Sequence, residues 1–363
     1  MPPLFKAVGL MSGTSLDAVD VALIETDGLD HVVFQAADSF PYDPMFRKLI
    51  RDGIARGEND PNLEEQITKK HASAVHSFLA AQKIAADQID VIGFHGQTLW
   101  HKPKEGKTLQ LGDGAMLAAM TGIDVVNDFR SADMLAGGQG APLVPLYHRA
   151  LAHDLQKPLA IVNIGGVANI TWIGDEELIA FDTGPGNALL DDWVLKGTGK
   201  PFDENGALAA KGRVFDSYIE LFLHHPYFEK PPPKSLDRET FSNFVPKGLS
   251  LEDGAATLTM MSVAAIALAV RSFDKKPEKI YLTGGGRRNK TMRAWLAAQS
   301  GVSVECVEEL GWRGDSMEAE AFAYLAVRSV LGLPLTLPTT TGVKEPMTGG
   351  VIFSFAGEGA NIT

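Results

Sequence analysis

The chain has 363 residues, room for two domains at the usual ~150 residues each, and 45% of them are hydrophobic, enough for two buried cores. Its 33 basic and 45 acidic residues leave a formal charge of −12, which argues against nucleic acid or an anionic membrane surface as partner, since both need a basic face. A single cysteine, Cys306, excludes an intramolecular disulfide and a cysteine-based metal cluster and suits a reducing, cytoplasmic compartment.

In chain order, the N-terminus is expected to run into a strand without the apolar core of a signal peptide. Strands are predicted at 5–10, 19–25 and 32–39. Between the first two lies Gly9-Leu10-Met11-Ser12-Gly13-Thr14-Ser15-Leu16-Asp17, followed by Ala18, Val19 and Asp20. Apolar runs on both sides of a Gly/Ser/Thr turn read as a β-hairpin. The N–H groups and small hydroxyls of such a turn form an anion nest. Asp17 at its mouth would repel phosphate unless a cation lies between, which suits a magnesium nucleotide. The rival phosphate loop, Gly-x-x-x-x-Gly-Lys-Ser/Thr, does not occur.

Helices follow at 45–56 and 63–82, the second with Ile67, His71, Ala74, Val75, Phe78 and Leu79 at helical spacing. A strand at 89–95 ends in His95-Gly96-Gln97-Thr98, and one at 123–127 ends in Asp128-Phe129-Arg130. These offer polar groups for sugar hydroxyls and a guanidinium for a carboxylate; the alternative for His95 is a structural role. The Gly-rich break at 137–140 is the best candidate boundary.

After the break the pattern restarts. A strand at 159–163, the turn Ile164-Gly165-Gly166 and strands at 170–173 and 178–181 lead to Asp182-Thr183-Gly184-Pro185-Gly186-Asn187 and a helix. The Gly165-Gly166 turn reads as a second set of N–H donors or as a plain hairpin. Asp182, at a strand's C-terminal end before a Gly-Pro-Gly turn, is placed for a catalytic base or a magnesium-linked carboxylate; otherwise it is a turn former. The apolar run at 255–270 is interrupted by Thr257, Thr259 and Ser262, falls short of the ~20 apolar residues of a spanning segment, and reads as a buried helix. A strand at 279–283 enters Gly284-Gly285-Gly286, which permits close approach of a flat ring or ribose, with Asn289 as the N-cap of the next helix. A strand at 302–307 and a helix at 316–331 follow, and a short strand at 350–353 is expected to return to the first domain.

In this order, the hairpin 9–17, Phe94-His95-Gly96-Gln97-Thr98, Gly138-Gln139-Gly140-Ala141-Pro142-Leu143-Val144-Pro145, Asn163-Ile164-Gly165-Gly166-Val167-Ala168-Asn169 and Phe181-Asp182-Thr183-Gly184-Pro185-Gly186-Asn187 resemble the anhydro-N-acetylmuramic acid kinases. So do Pro232-Pro233-Lys234-Ser235, Gly284-Gly285-Gly286 and Asp315-Ser316-Met317-Glu318-Ala319, so that the resemblance covers nearly the whole chain. The chain departs from the family pattern at Ala18, often Gly there, at Leu236-Asp237 after Lys234-Ser235, and at Arg287-Arg288 after the triple glycine.

The resemblance implies an α/β chain of two ribonuclease-H-like domains, of the actin/Hsp70/sugar-kinase type, around a nucleotide cleft. Their expected limits are 1–138, joined by 341–363, and 139–340. It implies ATP and Mg²⁺, with 1,6-anhydro-N-acetylmuramic acid as the small-molecule substrate, and a cytoplasmic homodimer without nucleic-acid or membrane partners. ATP would lie on Ser12, Gly13, Thr14, Ser15, Leu16, Asp17, Ala18, Val19, Asp20, Asn163, Gly165, Gly166, Gly284, Gly285, Gly286 and Asn289. The sugar would lie on His95, Gln97, Arg130, Gly184, Gly186 and Asn187, with Asp182 as base and Asp17 facing Mg²⁺ directly or through water. The alternatives are an ordinary hexose or amino-sugar 6-kinase of the same fold and, in another class, an ATP-driven chaperone or sugar-sensing module.

Overall fold

The computed structural model describes residues 3–13 and 16–355, and the chain divides into two compact units, Met1–Asp154 with Ser316–Thr363, and Leu155–Asp315. The first unit opens with a meander of β1 (Phe5–Met11), β2 (Ala18–Thr26) and β3 (Val32–Pro41). Helices α1 (Pro44–Arg56) and α2 (Pro61–Gln82) start alike: Asp43 and Asp60 accept first-turn N–H groups and a proline occupies the first turn, where no N–H is needed. β4 (Val91–Phe94) lies parallel to β1, β5 (Gln97–Lys102) and β6 (Lys107–Leu111) form a separate hairpin, and α3 (Gly114–Thr121) leads to β7 (Val125–Asn127), parallel to β4. Two short helices, α4 (Ser131–Leu135) and α5 (Pro145–Leu151), close this part.

The second unit repeats the plan. β8 (Leu159–Ile164), β9 (Val167–Ile173) and β10 (Leu178–Pro185) form the meander; α6 (Ala188–Thr198), α7 (Asp216–Leu223) and α8 (Leu251–Ser272) follow. β11 (Lys279–Thr283) then lies parallel to β8, and after α9 (Lys290–Ser300), β12 (Ser303–Cys306) lies parallel to β11. The chain returns to the first unit as α10 (Met317–Val330), α11 (Pro338–Thr341) and β13 (Val351–Phe353), which pairs antiparallel with β7.

The two sheets run β13-β7-β4-β1-β2-β3 and β10-β9-β8-β11-β12. In each, a three-stranded meander is extended by two parallel strands on the free side of its first strand. That is the duplicated ribonuclease-H-like α/β plan. α8 is long and apolar enough to cross a membrane by length and composition, but 83% of its apolar window is buried inside the protein, as expected for a core helix.

The limits of the units differ from those expected at 138/139 and 340/341. The Gly-rich stretch 137–140 is no linker. Buried Asp133 accepts the Gly140 N–H at 2.7 Å through Oδ2, while its Oδ1 accepts the hydroxyls of Thr336 and Thr341. One carboxylate thereby ties the glycine loop and the C-terminal segment into the first unit. Residues 316–340 join that unit as well, because α10 packs on β1 and β4. Gly9 and Gly93 are neighbours across those strands; a Cβ on Gly9 would stand 1.8 Å from Ala319 O and one on Gly93 2.0 Å from Phe322 O. The helix therefore lies main chain against main chain on the sheet.

Two outcomes test this packing. Gly93→Ala should lower stability in urea unfolding by at least the roughly 1–3 kcal/mol of an overpacked core, because the obstacle is a carbonyl that cannot rotate away. The second concerns His71, fully buried on α2, which donates Nδ1–H to Ile67 O at 2.8 Å and packs on Phe94. Burial pushes its pKa down to about 4, so the unfolded chain takes up a proton near pH 6.5 that the folded protein refuses. Stability should fall as pH drops from about 6.5 to about 4, and His71→Leu should flatten that slope by up to about 3 kcal/mol in a pH series of unfolding curves.

Candidate active site

In the first unit the Gly/Ser/Thr turn joins β1 and β2. Leu16 closes it, with φ of 55° and its N–H on Gly13 O at 3.1 Å. Thr14 and Ser15 lie outside the described residues. Leu16 and Val19 bury their side chains in the core, and Ala18 sits opposite Pro41 on β3, so the first two can face a ligand only through their main chains. Ser12 is also buried: its hydroxyl donates to Gln97 Oε1 at 2.7 Å and accepts from Tyr42 at 3.1 Å. Asp20 accepts the Ser39 hydroxyl across the sheet. Asp17 is exposed and pairs with Arg47 at 2.7 Å.

Tyr42 and Arg47, just past β3 and on α1, went unread in the sequence. Tyr42 N–H donates to Asp17 O at 2.8 Å, and burial raises the Tyr42 hydroxyl pKa to about 12, keeping it a donor toward Ser12. Among the described residues no group of three or more His, Cys, Asp or Glu could cage a metal ion.

His95 and Gln97, expected to touch sugar, are both buried and hydrogen-bonded within the first unit. Gln97 has no exposed surface, since its amide oxygen is spent on Ser12. His95 Nδ1 bonds Gly96 O, while Nε2 receives Gln110 Nε2 at 3.0 Å and Arg130 Nη2 at 2.9 Å. A guanidinium only donates, so Nε2 is the acceptor and the proton sits on Nδ1. Burial, then the Arg130 charge, holds the His95 pKa well below its ordinary value, so the ring is neutral. Arg130 also donates to Gly140 O at 2.6 Å. A polar cavity of about 200 Å³ opens beside His95, with Gln110, Asn127, Asp128 and Ser131 in its wall.

The second unit brings three turns together. Asn187 N–H donates to Gly165 O at 2.7 Å, Gly186 N–H to Gly166 O at 2.9 Å, and the Asn187 amide to Ile164 O at 3.0 Å. Gly165 spends its own N–H on Val167 O. Gly284, at φ of +74°, approaches so closely that a Cβ would lie 2.2 Å from Asn163 Oδ1; one on Gly286 would lie 2.4 Å from Ile164 Cγ2. Arg287, almost wholly buried, holds the triple-glycine loop through Gly284 O at 3.0 Å and is anchored by Glu308 at 2.7 Å and Asp315 at 3.0 Å.

Asn289 caps α9, its side chain accepting Met292 N–H, as the sequence suggested. Beside this loop lies a cavity of about 160 Å³ walled by Asn187, Gly285, Gly286, Arg288 and Asn289, together with Phe202 and Asn205. The last two went unread in the sequence, where only a Gly-Lys-Pro turn precedes them. Asn187, expected on the sugar side, thus belongs to the wall shared with the triple glycine. Gly184 packs against α8, where a Cβ would meet Ala265 at 2.6 Å.

Asp182 lies in β10 at a bulge before Gly184 and is 7% exposed. Its N–H donates to Lys234 O at 2.9 Å, its Oδ2 accepts Leu236 N–H at 2.8 Å, and its carbonyl accepts the Tyr227 hydroxyl. It does not cap α6, whose first turn is bonded by Asn187 instead. Leu236 serves through its main chain, so its departure from the family pattern leaves the contact intact.

A repeated ribonuclease-H-like sheet with a glycine turn in each opening hairpin is the two-domain plan of the actin and sugar-kinase class. The chain belongs to the anhydro-N-acetylmuramic acid kinase family, whose model, described as Anhydro-N-acetylmuramic acid kinase, matches residues 5–355. It is 55% identical over 349 residues to the Anhydro-N-acetylmuramic acid kinase of Paramagnetospirillum magneticum, covering 95% of this chain and 98% of that protein. To the protein of the same name from Rhizorhabdus wittichii it is 51% identical over 356 residues, covering 95% and 98%. It is therefore an enzyme, a kinase of that family.

Proposed function

We propose that this kinase opens 1,6-anhydro-N-acetylmuramic acid with water and phosphorylates O6 in one event, giving N-acetylmuramic acid 6-phosphate and ADP in cell-wall recycling. The observation that supports it most is Asp182, a buried carboxylate in a strand, with one oxygen held by the Leu236 N–H. A 1,6-anhydro sugar has no free O6, so transfer must be joined to ring opening. Asp182 takes a proton from water as the water oxygen bonds to C1. The C1–O6 bond breaks, O6 bonds to the γ-phosphorus, and the bridging oxygen leaves with ADP.

The Ser12–Asp17 turn and, in the second turn, Gly166 would supply N–H groups to the phosphates. The cavity beside Gly285 and Asn289 would take the adenosine. Arg130, oriented by neutral His95, would face the lactyl carboxylate, where a charge-assisted bond contributes roughly 1.5–3 kcal/mol. Mg²⁺ would neutralise phosphate charge when the nucleotide carries it in. The single exposed carboxylate of Asp17 fits that mode, directly or through water, and does not make a resident metal site. Family membership supports a cytoplasmic homodimer acting on a small molecule.

Asp182→Asn keeps the size of the side chain but cannot accept the proton. It should melt like wild type and turn over at least ~100-fold more slowly, read from ADP release with the anhydro sugar. In H₂¹⁸O the wild-type product should carry label at C1; label in inorganic phosphate, or a clear preference for the free 6-hydroxyl sugar, would sink the coupled reaction.

The adenosine assignment has its own test. A Cβ on Gly285 meets nothing closer than Asn187 Nδ2 at 3.9 Å, so the fold tolerates a side chain there. Gly285→Leu should melt near wild type while weakening ATP binding about tenfold or more by filling the cavity, as calorimetry would show. Unchanged ATP affinity would move the nucleotide elsewhere.

A further inference from the structure

Three of the hydrogen bonds that fix Asp182 come from one stretch of the second unit, residues 227–236: those from its N–H to Lys234 O, from Leu236 N–H to Oδ2, and from the Tyr227 hydroxyl to its carbonyl. A single side chain gathers this stretch. Lys234 Nζ donates to Tyr227 O at 3.1 Å and to Lys230 O at 2.9 Å, and it lies over the rings of Tyr227 at 4.6 Å and Phe181 at 5.7 Å. Phe181 immediately precedes Asp182 on β10. Among the described residues Lys234 has no carboxylate partner, although it is half-buried. A half-buried ammonium held only by carbonyls and ring faces is costly to keep as a mere loop anchor.

We propose that Lys234 and Tyr227 form a clamp that positions Asp182, with Lys234 closing the loop onto β10 and Tyr227 holding the main chain of the base. The inference rests on the reading of Asp182 as the base. Opening the clamp draws the Leu236 N–H away from Oδ2. Losing that donor disfavours the carboxylate form, so the acid limb of the rate profile must move to higher pH.

Among the described residues the other titratable groups near the clamp are His225, whose Nδ1 accepts the Tyr227 N–H at 3.2 Å, Lys230, which with burial as the larger cause lowers the Lys234 pKa, Glu229 at the mouth of a cavity of about 240 Å³ beside the loop, and exposed Asp237. β9 sets neutral Asn169 opposite Asp182, and α8 contributes Ala265, Leu268 and Ala269 to the cavity wall.

The test compares pH–rate profiles of wild type, Lys234→Met, Lys234→Arg, Tyr227→Phe and Asp182→Asn with ATP and the anhydro sugar. Lys234→Met should lose about tenfold in kcat with both KM values within about threefold, and its acid limb should rise by at least about half a pH unit. Lys234→Arg, which keeps the charge and can reach both carbonyls, should recover most of the loss. If Lys234→Met does not fold, Tyr227→Phe decides: it removes one hydroxyl, and a kcat loss of about fivefold or more at unchanged ATP affinity supports the clamp. Wild-type kcat and acid limb in Lys234→Met, or in Tyr227→Phe where that variant decides, overturn the clamp when Asp182→Asn is inactive. An active Asp182→Asn overturns the base assignment itself, and the clamp with it.

Discussion

The first unit depends on one close approach. α10 touches β1 and β4 backbone to backbone at Gly9 and Gly93, where any side chain would meet a helix carbonyl at about 2 Å. Atoms at that distance leave no soft side-chain layer to absorb a shift, so the helix and the two strands move as one piece. What they carry follows from that. β1 runs straight into the anion turn. Phe322 on α10 packs its ring 4.5 Å from that of His95 and 5.3 Å from that of Phe129. His95 in turn receives Arg130. The contact at two glycines thus fixes the start of the turn, the histidine and the orientation of a guanidinium more than thirty residues further along.

The second unit uses glycine for the same end in a different place. Gly186 fits against Gly165 O, Gly284 against Asn163 and Gly286 against Ile164, each within 2.4 Å of where a Cβ would stand. Three turns from separate strands are thereby joined mostly through main-chain atoms. Such a floor is rigid and carries little chemistry of its own. The side chains that reach it include Asn187, Asn289 and Arg287, and Arg287 does so by bracing Gly284 from behind.

This division explains what could be read from the sequence. The meanders, the glycine turns and the buried helix at 251–272 announce themselves through local rules: alternation, positive-φ residues and apolar runs. The placement of Asp182 on the third strand of the second unit was legible because it follows an apolar run before Gly-Pro-Gly. The limits of the units were not legible, because the partners that decide them, Gly9 with Ala319 and Asp133 with Thr341, are separated by about two to three hundred residues. The bond between Ser12 and Gln97 was not legible for a related reason. A hydroxyl and an amide in Gly-rich turns look ready for a ligand, and only the fold shows that they satisfy each other across 85 positions. Lys234 stood in a recognised motif, but nothing local says that its ammonium seeks two carbonyls and two rings.

The chain's charge makes the manner of holding cations matter. A protein with a formal charge of −12 does not draw anions by its overall field, so it must present positive charge at chosen points. An ion pair such as that of Arg47 with Asp17 orients a cation but cancels it. Neutral acceptors also orient a cation. Arg130 gives two of its donors to a peptide carbonyl and to the lone pair of His95; Lys234 gives its own to two carbonyls. For Arg130 this works only while the imidazole is neutral, because a protonated His95 has no lone pair to offer and would repel the guanidinium. Burial against Phe322 enforces that state by making the charged ring expensive. The packing that begins at Gly9 and Gly93 therefore sets the protonation of His95 as well as its position, and through it the aim of Arg130.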